Sequence, residues 1–170
     1  NDLGFPIVGF NACTEAVLDY AGVCNLGSLN LGAYYTDNNE ASFVDWDLLR
    51  KDIQSAVLAL DTIVSLELED SRFPIEEQAH SQRFLRRIGL GIMGLADLIA
   101  LVGHEYGSED SINFADNLMR GITNIAFEFS ADLAVTLGSA EAFKLINGRL
   151  YNVRVTGGFA TYKLVEDIDL

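Results

Sequence analysis

The sequence has little positive charge. Eleven Lys and Arg stand against 25 Asp and Glu, a formal net charge of −14, and such a chain repels a nucleic-acid backbone unless its basic residues cluster. They cluster once, at Arg83, Arg86 and Arg87, so direct nucleic-acid binding is not expected and the excess acid reads as a solvated surface. Long apolar runs are lacking too. Ile88 to Ala96 and Leu98 to Val102 are broken by Gly and Asp, short of the roughly 20 residues of a membrane-spanning helix. With no charged-then-apolar leader at the start, the expectation is a cytoplasmic protein without a membrane partner. Two cysteines, Cys13 and Cys24, are too few for a disulfide scaffold. The two histidines, His80 and His104, stand too far from them in sequence to suggest a zinc site. The chain begins at Asn1 rather than Met, as expected of a fragment or processed product.

What is abundant points to a folded core. An apolar share of 49% excludes a disordered chain, and 170 residues suffice for one domain. Asn25-Leu26-Gly27-Ser28-Leu29-Asn30-Leu31 sets polar or small residues between leucines, which predicts a strand with one buried face. Asp45 caps a helix of about 20 residues with the stripe Trp46, Leu49, Ile53, Val57, Leu60 and Val64. Glu67 to Pro74 breaks it, and Glu67, Glu69 and Asp70 read as a solvated helix end. The helical pattern resumes at Phe84, Leu85 and Ile88. From the glycines at 89–94 a further helix carries Leu95, Leu98, Ile99 and Val102 as far as Gly103, with Met93 and the aromatic positions expected in the core. Ser108 caps the next helix, whose stripe is Ile112, Ala115, Met119, Ile122, Ile125, Phe129 and Leu133 and which closes at Gly138. The last 25 residues, with Gly157-Gly158 and the run Tyr151 to Thr156, predict one or two weak strands. No repeat and no linker divides the chain. There are too few strands to complete a sheet, which suggests a partial fold.

Two features carry chemistry. The loop Asn11-Ala12-Cys13-Thr14-Glu15 puts an amide, a thiol and a carboxylate at alternate positions, and on an extended segment alternate residues project to one side. A hydrogen-bonding amide, a redox-active sulfur and a general base then share a patch. The plainer alternative, a small buried cysteine among turn formers, stays open on composition alone. The second feature is Gly89-x-Gly91-x-x-Gly94, the spacing of a dinucleotide-binding loop. That loop needs a buried strand before it and an acid about 20 residues on, opposite the ribose. Here Arg86 and Arg87 stand where the strand should end, and Glu109 and Asp110 follow a helix. Close packing at a strand-to-helix turn explains the glycines better.

Cys24-Asn25-Leu26-Gly27-Ser28-Leu29-Asn30-Leu31, beginning eleven residues after Cys13, changes the reading. With the Asn-x-Cys-x-Glu loop before it and Arg86-Arg87-Ile88-Gly89-Leu90-Gly91-Ile92-Met93-Gly94-Leu95-Ala96-Asp97 after it, the chain resembles the catalytic subunit of ribonucleotide reductases over residues 8 to 145. The resemblance implies an α/β fold, part of a ten-stranded α/β barrel that is helix-rich in this piece. Residues 1–145 would belong to the barrel domain, with the radical-cysteine loop at 11–15, and 146–170 would be a divergent C-terminal segment. It also implies a thiyl radical on Cys13 that takes the 3′-hydrogen of a ribonucleoside di- or triphosphate, after which the 2′-hydroxyl leaves as water. Glu15 would accept the 3′-hydroxyl proton and Asn11 would orient the substrate. Cys24 would be half of the reducing dithiol, its partner lying before residue 1 and an external dithiol reductant of the thioredoxin kind renewing it.

The chain departs from the members it resembles at Ala12 and Thr14, where these often have proline and glycine. The family's Pro-Thr-Gly-Thr-type phosphate loop and nucleotide-effector region have no counterpart here. The short gap from Cys13 to Cys24 is similar to adenosylcobalamin-dependent members, whereas Cys-Thr-Glu occurs among those served by a radical-generating, metal-containing partner subunit; adenosylcobalamin is the preferred source. Alone, the piece is expected to lack activity and to aggregate or lose fixed packing without the remaining part of the reductase chain. The competing readings are one chain of a split reductase acting as an interaction module, an inactive remnant, and a dinucleotide-binding enzyme.

Overall fold

A computed structural model describes residues 8–14, 16–37, 42–70, 73–142, 151–156 and 159–164. The described residues begin with two short antiparallel strands, β1 (Gly9–Phe10) and β2 (Val17–Leu18). They are followed by β3 (Asn25–Asn30), a 3-10 turn over Leu31–Tyr34, and a second antiparallel pair, β4 (Tyr35–Asp37) with β5 (Ser42–Val44). Helix α1 (Trp46–Glu69) starts at Asp45, whose side chain accepts from the Leu48 amide and so satisfies one of the unpaired donors of the first turn. Helix α2 (Glu76–Leu85) ends at Arg86, whose backbone is left-handed with φ 49°. After it come β6 (Ile88–Met93), α3 (Leu95–Leu101), α4 (Glu109–Leu137) and a hairpin of β7 (Tyr151–Thr156) with β8 (Phe159–Leu164).

The organising feature is parallel pairing of β3 with β6, from Asn25 beside Ile88 to Asn30 beside Met93. Parallel neighbours need a long crossover, and here α1 and α2 supply it. The architecture is therefore α/β and helix-rich. The described strands form four two-stranded sheets and no closed barrel.

The core lies between the inner face of this pair and α1, α3 and α4. Leu31, Leu49, Ile53, Val57, Leu98, Leu118, Ile122 and Ile125 are buried in it, with Leu29, Ile88, Leu90 and Ile92 of the strands packed against them. Each fully buried Leu or Ile contributes about 1.5–3 kcal/mol relative to exposure. Tyr34 joins the cluster and donates its hydroxyl to Asp52 at 2.9 Å. Burial, and then the carboxylate it faces, push the Tyr34 pKa up to about 12.

Four sequence expectations are corrected. The glycine segment continues no helix: Ile88–Met93 is a strand, with alternate residues facing the core. Met93 is therefore on the outer face and 54% exposed, not in the core. On α4, Ile112 is exposed and Leu118 is buried, because the first turn turns inward on Ser111. The Ser111 hydroxyl accepts from Gly107 and donates to the Ser108 carbonyl. Finally, Glu67 is half-buried and accepts from Asn25 Nδ2 at 3.2 Å, so it is a strand-to-helix tie rather than a solvated end.

Candidate active site

The Asn11 loop is the tip of the first hairpin. Asn11 holds it closed: its amide donates to the Ala16 carbonyl at 3.2 Å, and its side-chain Oδ1 accepts from the Ala16 amide at 3.0 Å. The Thr14 amide donates to the Asn11 carbonyl, and Thr14 takes a left-handed backbone with φ 62°. Residues 11 to 14 thus form a tight turn. The extended segment assumed for alternate residues is absent, and the argument that they project together does not hold. Cys13 is exposed at this turn. The Asn11 oxygen is committed to the loop, which leaves its Nδ2 as the group able to face a ligand. Glu15 lies outside the described residues.

Cys24 immediately precedes β3. It is half-buried, and neither it nor Cys13 forms a disulfide. Its surroundings explain the glycines of β6. In the parallel register Leu26, Ser28 and Asn30 stand beside Gly89, Gly91 and Met93 on the face turned away from the core. A Cβ added at Gly89 would lie 2.5 Å from Leu26 Cδ2 and 3.4 Å from Cys24 Sγ, and one at Gly91 would lie 3.2 Å from Ser28 Oγ. The glycines leave room on this face for the side chains of Cys24, Leu26 and Ser28. Gly94, at φ 71°, makes the turn into α3, where a Cβ would meet Asn30 Oδ1. Because Gly89 and Gly91 lie inside the strand, the glycine spacing is not a phosphate-binding loop, and the dinucleotide reading falls.

Several residues that fix this site were not found from sequence. Asp19, just after β2, accepts from Arg87 Nη1 and from Ser81 Oγ, each at 2.8 Å. Burial alone would raise its carboxyl pKa, but the two hydrogen bonds and the guanidinium charge outweigh that and hold it below the usual aspartate value. Gln82, 1% exposed, donates its Nε2 to the Arg87 carbonyl at 3.1 Å. Arg86 is paired with Asp61 of α1 at 2.8 Å. The basic cluster noted in the sequence thus supplies two structural ion pairs. Asp19 and Arg87 are 68 residues apart, and no local pattern links them.

Among the described residues no group of three or more His, Cys, Asp or Glu side chains could hold a metal ion, and no helix is long and apolar enough to cross a membrane.

Comparison with known proteins identifies the family of the chain. The family model described as ribonucleotide reductase, barrel domain, matches residues 4–157. The chain is 40% identical over 133 residues to a vitamin B12-dependent ribonucleoside-diphosphate reductase of Mycobacterium tuberculosis, covering 78% of this chain and 18% of that protein. It is 32% identical over 128 residues to the protein of the same name from Thermoplasma acidophilum, covering 75% and 16%. With the ribonucleoside-diphosphate reductase subunit alpha of Chlamydia muridarum it shares 31% identity over 138 residues, covering 79% and 12%. The chain spans less than a fifth of the length of each of these relatives. It belongs to the ribonucleotide reductase barrel-domain family.

Proposed function

We propose that this chain is the radical-cysteine segment of a ribonucleotide reductase catalytic subunit, reducing ribonucleotides to deoxyribonucleotides as part of the full enzyme in the cytoplasm. The observation that carries the reading is the placement of its two cysteines. Cys13 is exposed at a closed turn, and Cys24 heads a parallel strand pair on whose outer face Gly89 and Gly91 leave room for Cys24, Leu26 and Ser28. One thiol at the head of this face and another on the adjoining turn support a reaction that uses both on one nucleotide sugar. β3 and β6 would be neighbouring strands of the ten-stranded barrel.

In this reading a Cys13 thiyl radical takes the 3′-hydrogen, becoming a thiol and leaving the unpaired electron on the sugar carbon. Glu15 accepts the 3′-hydroxyl proton as a carboxylate ionised near neutral pH. The Asn11 amide Nδ2 donates to the sugar. The 2′-hydroxyl departs as water with a proton from the dithiol, which supplies two electrons as Cys24 joins a second cysteine in a disulfide. Cys13 then returns its hydrogen to the 3′-carbon and is a thiyl radical again. A thioredoxin-like dithiol reopens the disulfide. Adenosylcobalamin, the source suggested by the names of the Mycobacterium and Thermoplasma relatives, would supply the initial radical when bound. An exposed Cys13 thiol fits a radical delivered from outside the chain. The same names make ribonucleoside diphosphate the first substrate to test.

The test is reconstitution of the complete reductase containing this segment with ribonucleoside diphosphate, adenosylcobalamin and dithiol. Cys13→Ser is expected to abolish deoxyribonucleotide formation. Cys24→Ser is expected to abolish turnover sustained by the thioredoxin-like reductant. Undiminished turnover in Cys13→Ser would sink the reading.

A further inference from the structure

The two cysteines are on different structural units. Cys13 is on the tip of the β1–β2 hairpin, and Cys24 is at the head of the β3–β6 pair. A reaction that uses both in one cycle needs a fixed relation between those units, and a two-residue-per-strand hairpin is too short to hold its own position. A set of side-chain contacts joins them. Asp19 leaves the hairpin directly after Leu18, and its carboxylate accepts from Arg87 Nη1 and Ser81 Oγ, both at 2.8 Å. Arg87 directly precedes Ile88, the residue paired with Asn25, just as Cys24 directly precedes Asn25. The far end of the tie is therefore at the strand head that bears Cys24.

The tie is built to be rigid. Ser81 is 4% exposed. The Arg87 backbone is held through its carbonyl by Gln82 Nε2 at 3.1 Å. On the hairpin side, the Asp19 carbonyl accepts from the Gly22 amide at 3.0 Å. A Cβ at Gly22 would stand 2.5 Å from Asp19 Oδ1 and 3.0 Å from Arg87 Nη1, so the turn is pressed against the ion pair. Partly buried charge-assisted hydrogen bonds of this kind are shorter and stronger than neutral ones.

We infer that Asp19 and Arg87, with Ser81, form a positioning clamp that fixes the Cys13 turn relative to Cys24. The inference rests on the reading that both cysteines serve one reaction. Asp19 and Arg87 are positioning residues: they act on the separation of the two thiols and touch no substrate.

The experiment uses the complete reductase with its other reactive cysteines replaced by serine, labels Cys13 and Cys24 with nitroxides, and reads their separation by dipolar electron paramagnetic resonance. The enzyme with Asp19 intact is expected to give one narrow distribution, and Asp19→Asn to lose it with the helical circular dichroism unchanged. Only Nη1 of Arg87 contacts Asp19, so a single ammonium can replace it, and Arg87→Lys should keep the narrow distribution. Arg120→Gln, which removes an exposed ion pair within α4, should leave the distribution alone. If Asp19→Asn does not fold, Ser81→Ala decides: it removes one of the two bonds and should broaden the distribution. A distribution unchanged in Asp19→Asn, or in Ser81→Ala where that variant decides, overturns the clamp. In the complete reductase, Asp19→Asn should lower kcat on the order of 10²-fold, the cost of misplacing a reacting group by about 1 Å, with KM unchanged. Turnover indifferent to Cys13→Ser would defeat the functional reading while the resonance result still judges the clamp.

Discussion

Arg86 Nη2 lies 2.8 Å from Asp61 Oδ1, and the same nitrogen donates to the Asp61 carbonyl at 3.1 Å and to Ser65 Oγ at 2.8 Å. One guanidinium thus binds the end of α2 to the middle of α1, from a residue whose own backbone is left-handed. Two opposing effects meet at this position. The polar bonds stabilise, by about 1.5–3 kcal/mol for hydrogen bonds to a charged group and less where water competes. The left-handed backbone costs roughly 1–2 kcal/mol in any residue with a Cβ. Arg86→Ala should therefore lower stability, since it loses the bonds and keeps the strain. Arg86→Gly loses the same bonds but relieves the strain, and should be more stable than Arg86→Ala by about 1 kcal/mol. Urea titration of both variants within the complete reductase orders them; the reverse order would contradict the account.

Thr14 carries backbone strain of the same kind. A β-branched residue at φ 62° is strained. Thr14→Gly should stabilise the turn by about 1 kcal/mol, seen as a higher urea midpoint at constant slope. The turn bond from the Thr14 amide to the Asn11 carbonyl is retained. Cys13 should therefore keep its rate of reaction with an aromatic disulfide, and a large change in that rate would mean that the threonine side chain shapes the loop.

The sequence made some of this legible and hid the rest for physical reasons. The stripe Leu49, Ile53, Val57, Leu60 and Val64 and the Asp45 cap were readable because helical period and capping are local. Strand β3 is legible in the sequence, whereas its partner β6 follows a helical pattern and leads into a helix. Ile88–Met93 is a short apolar run that leads directly into α3, and a strand buried on one face with glycines on the other shows no polar alternation. Leu26 is 61% exposed, because the inner face is set by Gly27 and Leu29 against α1. The cysteine motifs were legible through family resemblance. Asp19, Ser81 and Gln82 were not, since their partners are brought together only by the crossover through α1 and α2.

Two glycines separate packing from access. At Gly121 on α4 an added Cβ would collide with the Trp46 ring, a rigid body with no flexible end to yield. Gly121→Ala should cost about 1–3 kcal/mol, typical of overpacking. At Gly89 the collision is with a terminal methyl of Leu26, which is largely exposed and can turn aside. Gly89→Ala should cost under about 1.5 kcal/mol, but its methyl would fill the space beside Cys24 Sγ. The expected signature is near-normal stability with slowed modification of Cys24 and unchanged modification of Cys13, followed by peptide mapping of the labelled thiols. Equal slowing of both would mean that the effect spreads through the fold rather than acting at the outer face.

Acid provides the last discrimination, and its sign follows from the Asp19 environment. The folded-state carboxyl titrates below its ordinary value, because hydrogen bonds from Arg87 and Ser81 outweigh burial. A depressed folded value means that the unfolded chain takes up the proton first. The contribution is therefore complete above the unfolded pKa of about 3.9, and it is lost as pH falls through the lower folded value. Stability measured by urea titration should fall less steeply with acid in Asp19→Asn than in the unmodified chain below about pH 4. Above that range the two curves should run parallel, offset by the lost ion pair, which is modest at a partly exposed site. The variant leaves the Arg87 guanidinium without its carboxylate, so the offset includes that residue's lost partner. Curves parallel through the whole acid range would show that Asp19 does not titrate with folding. They would also remove the electrostatic support for a tie between the Cys13 hairpin and the strand head at Cys24.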